Sequence, residues 1–152
     1  LPPPEGINPV AFIPDFELRT AAARAALPAT VPHGDASFNV ARGALLAAVL
    51  SGGAQVSGGA DLHALLMEAT RDRLHQEQRR AAMEPSLALV DWLRGAGFAA
   101  VVSGAGPTVL SLEKVGADIR RDAAGAGWRV VPLAVAASGV QITRGSLAKV
   151  EF

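Results

Sequence analysis

Apolar residues recur at helical spacing through the first two thirds of the chain and form short continuous runs in the last third. The helical spacing predicts four helices. Thr20, Asp35 and Asp61 are predicted N-caps, because their side chains can accept a backbone amide that the first helical turn leaves free. The four helices lie in the segments TAAARAALP, HGDASFNVARGALLAAVLSGG, GGADLHALLMEATRDRLHQEQRRAAM and EPSLALVDWLRGAG.

Short runs rich in β-branched residues predict five strands, one before these helices and four after them. A further helix, over residues 116–127, separates the third strand from the fourth. Since only this one junction in the second half is filled by a helix, a uniform series of parallel strand–helix–strand units does not fit. The order predicts an α+β fold, with a mainly antiparallel sheet covered by helices. The strands lie in PVAFIP, FAAVVS, TVLSL, WRVVPLAVA and GVQITRG.

Prolines bracket the first strand, Pro9–Pro14, and proline cannot donate a backbone hydrogen bond. This pattern is typical of the edge of a sheet, where a second copy of the chain could pair and form a homodimer. Three consecutive prolines and a glycine precede the strand. We therefore predict that residues 1–8 are a linker or arm and that residues 9–152 form one domain.

Composition narrows the classes of function. Half of the 152 residues are apolar, which indicates a folded chain. The 14 basic and 14 acidic side chains give a net charge of zero. Without a surplus of positive charge, neither a nucleic acid nor an anionic membrane is predicted as a partner. The sequence contains no cysteine, so disulfides and thiolate metal sites cannot form and a cytoplasmic location is favoured.

Several catalytic motifs do not occur in the sequence. No lysine follows a glycine as in a phosphate-binding P-loop, and Val109 stands where the dinucleotide-binding fingerprint has its third glycine. Neither an HExxH pair nor a GxSxG elbow is found. With three histidines outside any such pattern, the chain is predicted to form no metal site from its own side chains.

After these exclusions, two stretches and one isolated arginine are the candidates for a binding site. Gly104 and Gly106 of VVSGAGPTVLSL can adopt positive φ, so the turn is either a bulged hairpin corner or a hollow of backbone amides that binds an anion. The arginine-rich segment RDRLHQEQRR, residues 71–80, is either a solvated helix end or a site for a carboxylate or phosphate. Its His75 is predicted to be a packed or rim imidazole rather than a base. Arg24, among alanines, either reaches the rim of its helix or points into a cleft.

These stretches resemble the GHMP superfamily of small-molecule kinases and, within it, the homoserine kinases of actinobacteria. VVSGAGPTVLSL is similar to the third conserved motif of the superfamily. VAFIPDFELRTAAARAALP resembles the opening of the C-terminal domain of homoserine kinases, and HGDASFNVARGALL and DRLHQEQRRAAM match further parts of it. The resemblance covers nearly all of residues 8–112 and implies the fold of the GHMP kinase C-terminal domain.

The resemblance also implies an activity: transfer of the γ-phosphoryl group of ATP, with Mg²⁺, to the hydroxyl of L-homoserine in threonine biosynthesis. The family's ATP-binding loop and acidic residues belong to an N-terminal half, and this sequence does not contain their motifs. The resemblance therefore assigns no catalytic residue to this chain and implies that the chain alone is inactive. ATP, Mg²⁺ and the N-terminal domain are the cofactors and partner that it implies.

By the same resemblance, Arg24 and Arg79 correspond to two arginines that hold the carboxylate of the substrate. A loop supports the phosphate side of the cleft, and it consists of Ser103, Gly104, Ala105 and Gly106. We name these four residues the glycine loop.

One departure from the family pattern lies next to this predicted site. Glu77 stands where the family usually has proline and adds a negative charge close to Arg79, and Arg80 is the alternative if the register shifts by one. Two other functions stay open: another GHMP kinase with a different alcohol substrate, or a non-catalytic α+β module that binds an amino acid or an anion.

Overall fold

The computed structural model describes residues 4–52 and 61–136. Within these ranges a four-stranded antiparallel sheet is combined with helices, and the predicted α+β fold is confirmed. The strands are β1 (Ile7–Ile13), β2 (Ala100–Val102), β3 (Val109–Glu113) and β4 (Arg129–Pro132). The helices are α1 (Thr20–Ala25), α2 (His33–Leu50), α3 (Leu62–Ala69), α4 (Glu84–Gly95) and α5 (Ala117–Gly125), and a 3-10 helix spans Glu77–Ala82. The predicted strand GVQITRG lies outside the described residues.

The first strand lies inside the sheet and not at its edge. The strand order is β2-β3-β1-β4, and β1 pairs antiparallel with β3 on one side and with β4 on the other. The prediction that β1 is an edge open to a second copy is therefore wrong. Pro9 is tolerated because the register with β3 shifts between Ile7 and Val10, which removes the need for its amide, and Pro14 follows the end of the strand.

The main hydrophobic core lies on the sheet face that α4 and α5 cover. Alternate residues of a strand point to the same face, so Phe12 of β1 and Val109 of β3 meet the apolar stripe of α4 and are completely buried with Leu93. This core fixes the β2–β3 hairpin on α4. The buried members of the cluster are Val10, Phe12, Leu89, Val90, Leu93, Ala100, Val109, Val115 and Ala123.

A second cluster forms where α2 and α3 pack against each other. Leu112 of β3 joins this cluster, because it points to the opposite face from Val109. Leu46 and Leu50 of α2 also belong to it. The α2–α3 pair therefore lies beside the face of β3 that the main core leaves free.

One of the three predicted N-caps, that at Asp61, is confirmed, and the cap predicted at Thr20 is wrong because Arg19 occupies the N-cap position of α1. The carboxylate of Asp61 accepts the amide of His63 at 3.0 Å, and α3 follows it. The cap predicted at Asp35 is wrong, because α2 begins earlier, at His33, and the carbonyl of Pro32 already accepts the amide of Asp35 at 3.0 Å. No helix within residues 4–52 and 61–136 is both long and apolar enough to cross a membrane.

Candidate functional site

The glycine loop is the corner of the β2–β3 hairpin. The amide of Ser103 donates to the carbonyl of Thr108 at 2.8 Å, and the amide of Gly106 donates to the carbonyl of Ser103 at 3.0 Å. Gly104 and Gly106 have φ of +59° and +87°, so both take the positive φ that the sequence predicts. The hairpin corner is thus observed, and anion binding by the loop stays a prediction.

The two glycines differ in their surroundings. Gly104 is exposed, and a Cβ on it would meet no atom within 4 Å. A Cβ on Gly106 would lie 2.7 Å from Sδ of Met83, a side chain that is fully buried at the start of α4. The hydroxyl of Ser86 on α4 also donates to the carbonyl of Pro107 at 2.6 Å. The base of the loop is therefore fixed on α4, while its tip is accessible.

A single carboxylate organises the turn that follows α3. Asp72 accepts the backbone amides of His75 at 2.8 Å and of Gln76 at 2.6 Å, and the side-chain amide of Asn39 on α2 also donates to it. These bonds compete with the bonds that would continue α3 beyond Ala69. The prediction that the arginine-rich segment is the solvated end of a helix is therefore wrong; the segment is a turn followed by the 3-10 helix.

Asp72 is ionised although it is largely buried. Burial raises its pKa, but hydrogen bonds from Gln76, Asn39 and His75 outweigh burial and lower the pKa of Asp72 to about 2. An ionised carboxylate can only accept, so Nδ1 of His75, which lies 3.0 Å from Oδ1 of Asp72, carries the proton in this contact. His75 is exposed, which agrees with the prediction of a rim imidazole.

Arg79 is the buried arginine of the segment, with 8% of its surface exposed. Its Nε donates to the carbonyl of Ala23 on α1 at 3.2 Å, and its Nη1 donates to the carbonyl of Gly104 at 3.2 Å. These bonds use two of the five N–H groups of the guanidinium. The plane of the guanidinium is therefore held between α1 and the glycine loop, and the remaining N–H groups can bind a planar acceptor such as a carboxylate.

Arg79 and Gly104 line a cavity of about 450 Å³. The cavity lies between α2, the turn after α3 and the adjacent face of β2 and β3. Three arginines and one carboxylate face it, so its charge favours an anionic ligand. No three His, Asp or Glu side chains are grouped to hold a metal ion in the part of the chain that the structure describes. The charged and histidine side chains of the lining are Arg42, Arg71, Asp72, His75 and Arg79.

The arginines of the cavity differ in their ion pairs. Arg42 and Arg71 both donate to the carboxylate of Glu68. These hydrogen bonds lower the pKa of Glu68, and the bond from Arg71 has the larger effect. Arg42 also lies over the ring of Phe38, 3.8 Å from its centroid. No carboxylate among the described residues pairs with Arg79. Arg79 is thus the arginine of the lining that can take a carboxylate without first breaking an ion pair within this region.

Glu77 pairs with Arg80 and forms no ion pair with Arg79. Nε and Nη2 of Arg80 each donate to the carboxylate of Glu77 at 2.8 Å, and Nη2 also lies 3.0 Å from Oδ2 of Asp91 on α4. The bond from Arg80 lowers the pKa of Glu77. Arg80 is therefore engaged by two carboxylates away from the loop, which favours Arg79 over Arg80 as the arginine of the site.

The structure brings only some of the predicted site residues together. Arg79 contacts Gly104 of the glycine loop, Ser103 is exposed, and Ala105 packs against the cluster around Met83. Arg24 is exposed in the last turn of α1 and is not part of the cavity lining. It follows directly after the residue whose carbonyl binds Arg79, and α1 packs against the 3-10 helix, so Arg24 lies next to the site but does not enter it.

Gln76 makes a contact with β2 that the sequence does not reveal. Its Oε1 accepts the amide of Val102 at 2.7 Å, at the end of β2 just before the glycine loop. A glutamine within a run of charged residues is typical of a solvated surface, so composition gives no signal for this contact. Its place three residues before Arg79, in the segment that matches the family pattern, is the only indication.

Comparison with protein families agrees with the resemblance. The family described as "GHMP kinases C terminal" matches residues 45–124. This range includes Arg79 and the glycine loop, whereas Arg24 precedes it.

Similar proteins with curated descriptions are homoserine kinases. The homoserine kinase of Streptomyces avermitilis is 44% identical over 141 residues, which cover 92% of this chain and 43% of that protein. The homoserine kinase of Rhodococcus opacus is 46% identical over 132 residues, which cover 86% and 39%. The chain thus spans less than half the length of the curated relatives it matches.

A crystal structure with a similar fold is that of the homoserine kinase from Cytophaga hutchinsonii. It matches with a TM-score of 0.65 at 18% identity, over 88% of this chain and 42% of that one. At this identity the likeness concerns the fold.

Proposed function

The chain belongs to the GHMP kinase C-terminal family, and on this premise we propose that it is the substrate-binding part of a homoserine kinase. In this proposal the protein transfers the γ-phosphoryl group of ATP to the hydroxyl of L-homoserine and forms O-phospho-L-homoserine for threonine biosynthesis in the cytoplasm. The names of the relatives support this reaction, and the basic cavity beside the glycine loop supports a substrate with a carboxylate.

The observation that carries the proposal is the position of Arg79. L-Homoserine has a carboxylate near one end and the reacting hydroxyl at the other. A guanidinium fixed on the carbonyls of Ala23 and Gly104 can bind that carboxylate through its remaining N–H groups. Binding one end of the substrate aims the other, and positioning is most of what phosphoryl transfer requires of a protein.

Arg24 and the glycine loop have subsidiary roles in the proposal. In the proposal Arg24, which follows Ala23 on α1, adds a second cation to the carboxylate once the substrate is bound. In the proposal the glycine loop, whose tip at Ser103 and Gly104 is exposed, supports the phosphate side of the cleft.

The proposal assigns ATP and Mg²⁺ mainly to an N-terminal half. The ATP-binding loop of the family does not occur in the sequence, and the described residues offer no metal-binding cluster. When bound, ATP with Mg²⁺ supplies the phosphoryl group. The residues of this chain bind and orient the acceptor, and none of them is assigned a catalytic role.

The experiment is a steady-state assay of ADP release by the full-length protein with L-homoserine and with 3-aminopropan-1-ol, which keeps the hydroxyl and the amine but has no carboxylate. The wild-type protein should phosphorylate L-homoserine far better. Arg79→Ala should raise the KM for L-homoserine by about 10- to 100-fold, because this is the loss of affinity expected when a charged hydrogen bond to a carboxylate is removed. The change in kcat should be smaller.

The matched control is Arg80→Ala, the neighbouring arginine that pairs with Glu77 and Asp91. It should leave the KM for L-homoserine within about twofold, because a surface ion pair contributes little. An unchanged KM in Arg79→Ala would remove the assignment of Arg79. Absence of any homoserine phosphorylation, with activity on another alcohol, would identify a different GHMP kinase.

A further inference from the structure

Two hydrogen bonds tie the arginine-rich segment to both sides of Ser103. Oε1 of Gln76 accepts the amide of Val102 at 2.7 Å, and Nη1 of Arg79 donates to the carbonyl of Gly104 at 3.2 Å. The first bond fixes the point where β2 ends, and the second fixes the tip of the glycine loop. The distance between the guanidinium and the loop is therefore set by the segment from Gln76 to Arg79.

Asp72 in turn fixes the start of that segment. Its Oδ2 accepts the amides of His75 and Gln76 at 2.8 and 2.6 Å, and the side chain of Asn39 anchors the same carboxylate to α2. Only 14% of the side chain of Asp72 is exposed. A continuous path of hydrogen bonds thus runs from α2 through Asp72 and Gln76 to the last residue of β2.

The carboxylate of Asp72 has no capacity left for a ligand. Five hydrogen bonds already reach its two oxygens, from the side chains of Asn39 and His75 and from the amides of Leu74, His75 and Gln76. A carboxylate offers about four lone-pair directions. Although Asp72 lines the cavity, it therefore acts on a ligand only through the residues that it holds.

We propose that Asp72 and Gln76 are positioning residues that hold the guanidinium of Arg79 at the glycine loop, an inference that rests on the proposed function for its effect on catalysis. Both residues line the cavity, and in this proposal they act through Arg79 and the glycine loop. Their contribution is to fix the carboxylate-binding group relative to the loop before the substrate arrives, which lowers the KM without supplying a reacting group.

The experiment compares Gln76→Met, Gln76→Glu and Asp72→Asn in the full-length protein. Gln76→Met keeps the length of the side chain but removes the acceptor for Val102, whereas Gln76→Glu retains one. Asp72→Asn replaces one accepting oxygen by an NH₂ group that must face an N–H donor. Asp35→Asn is the matched control, because Asp35 is an acidic residue of α2 that pairs with Arg73 outside the cavity lining.

The first readout is independent of activity. Hydrogen exchange of the Arg79 Nε–H and of the Val102 amide, measured by NMR, should accelerate about 3- to 10-fold in Gln76→Met and Asp72→Asn, as for the loss of a neutral hydrogen bond. Asp35→Asn should leave both rates unchanged. Unchanged exchange of both groups in Gln76→Met and Asp72→Asn would overturn the inference whatever the activity.

The second readout is kinetic. The KM for L-homoserine should rise about 3- to 10-fold in Gln76→Met, with little change in kcat. Gln76→Glu should return the exchange rate of the Val102 amide to within about twofold of the wild type, and its KM is not a readout, because the added carboxylate would line the cavity and oppose the carboxylate of the substrate. Faster exchange with an unchanged KM, in a protein whose Arg79→Ala variant has a raised KM, would overturn the inference and leave the proposed function standing. A wild-type protein that does not phosphorylate L-homoserine would overturn the proposed function, and the exchange rates would still decide the positioning role.

Discussion

Replacing Gly106 by alanine tests how tightly the base of the glycine loop is fixed on α4. Two penalties add at this position. A side chain at φ +87° costs about 1 kcal/mol relative to glycine. The new Cβ would also lie 2.7 Å from Sδ and 2.8 Å from Cε of Met83, the flexible end of a side chain that is 1% exposed and would have to shift within the packed interior, and such overpacking costs about 2 kcal/mol. Gly106→Ala should therefore lower the free energy of unfolding by about 3 kcal/mol.

Gly104→Ala is the matched control, because it adds the same methyl group two residues away. Its φ of +59° carries a similar backbone penalty, but the new Cβ would meet no atom within 4 Å, so it should cost only about 1 kcal/mol. The assay is urea unfolding followed by the fluorescence of Trp92 and Trp128, the two tryptophans of the sequence.

A double-mutant cycle identifies the source of the difference. In a Met83→Ala background the two closest atoms are gone and Cγ1 of Val102, 3.1 Å from the new Cβ, stays, so the cost of Gly106→Ala should fall toward about 1 kcal/mol. Equal destabilisation by the two glycine variants, or an unchanged cost of Gly106→Ala in the Met83→Ala background, would refute the reasoning.

Two further predictions concern the arginine-rich segment. Folding lowers the pKa of Asp72 from 3.8 to about 2, so the ionised carboxylate stabilises the fold by about 2 kcal/mol above pH 3.8, and this stabilisation is lost as the pH falls toward 2. The difference in unfolding free energy between the wild type and Asp72→Asn should therefore shrink between about pH 5 and pH 2. A difference that stays constant over this range would contradict the lowered pKa. Glu77→Gln removes an exposed ion pair with Arg80, so it should cost about 0.5 kcal/mol or less in urea unfolding and leave the KM for L-homoserine unchanged; a KM lowered severalfold would show that Glu77 opposes substrate binding at Arg79.

The elements of the fold follow from local pattern, but their arrangement does not. Periodicity predicts α2 and α3, and the apolar runs on either side of Gly104 and Gly106 predict the β2–β3 hairpin, because these signals lie within a few residues of one another. The prolines around β1 indicate an edge strand, yet β1 is interior. Strand order depends on pairing with segments far along the chain, and a shift in register at Pro9 removes the local objection to an interior position.

The candidate site was likewise predictable in part: the residue types follow from the sequence, but the contacts that hold them do not. The identity of Arg79 follows from the resemblance of DRLHQEQRRAAM to a family pattern, and the positive φ of Gly104 follows from glycine itself. The groups that hold Arg79 are backbone carbonyls of Ala23 and Gly104, which no residue type reveals. The end of α3 was also hidden, since Asp72 is compatible with a helix until its carboxylate takes the amides of the next turn.

The interior position of β1 has a consequence for the synthesis of the chain. Ala11 pairs with Leu110 and with Val131, so β1 leaves the ribosome before these partners, which are made roughly a hundred residues later. Until then Val10 and Phe12, both buried in the finished sheet, are open to unwanted association. The order of translation therefore makes completion of this sheet a late event, and a chaperone that shields β1 would be most useful in that interval.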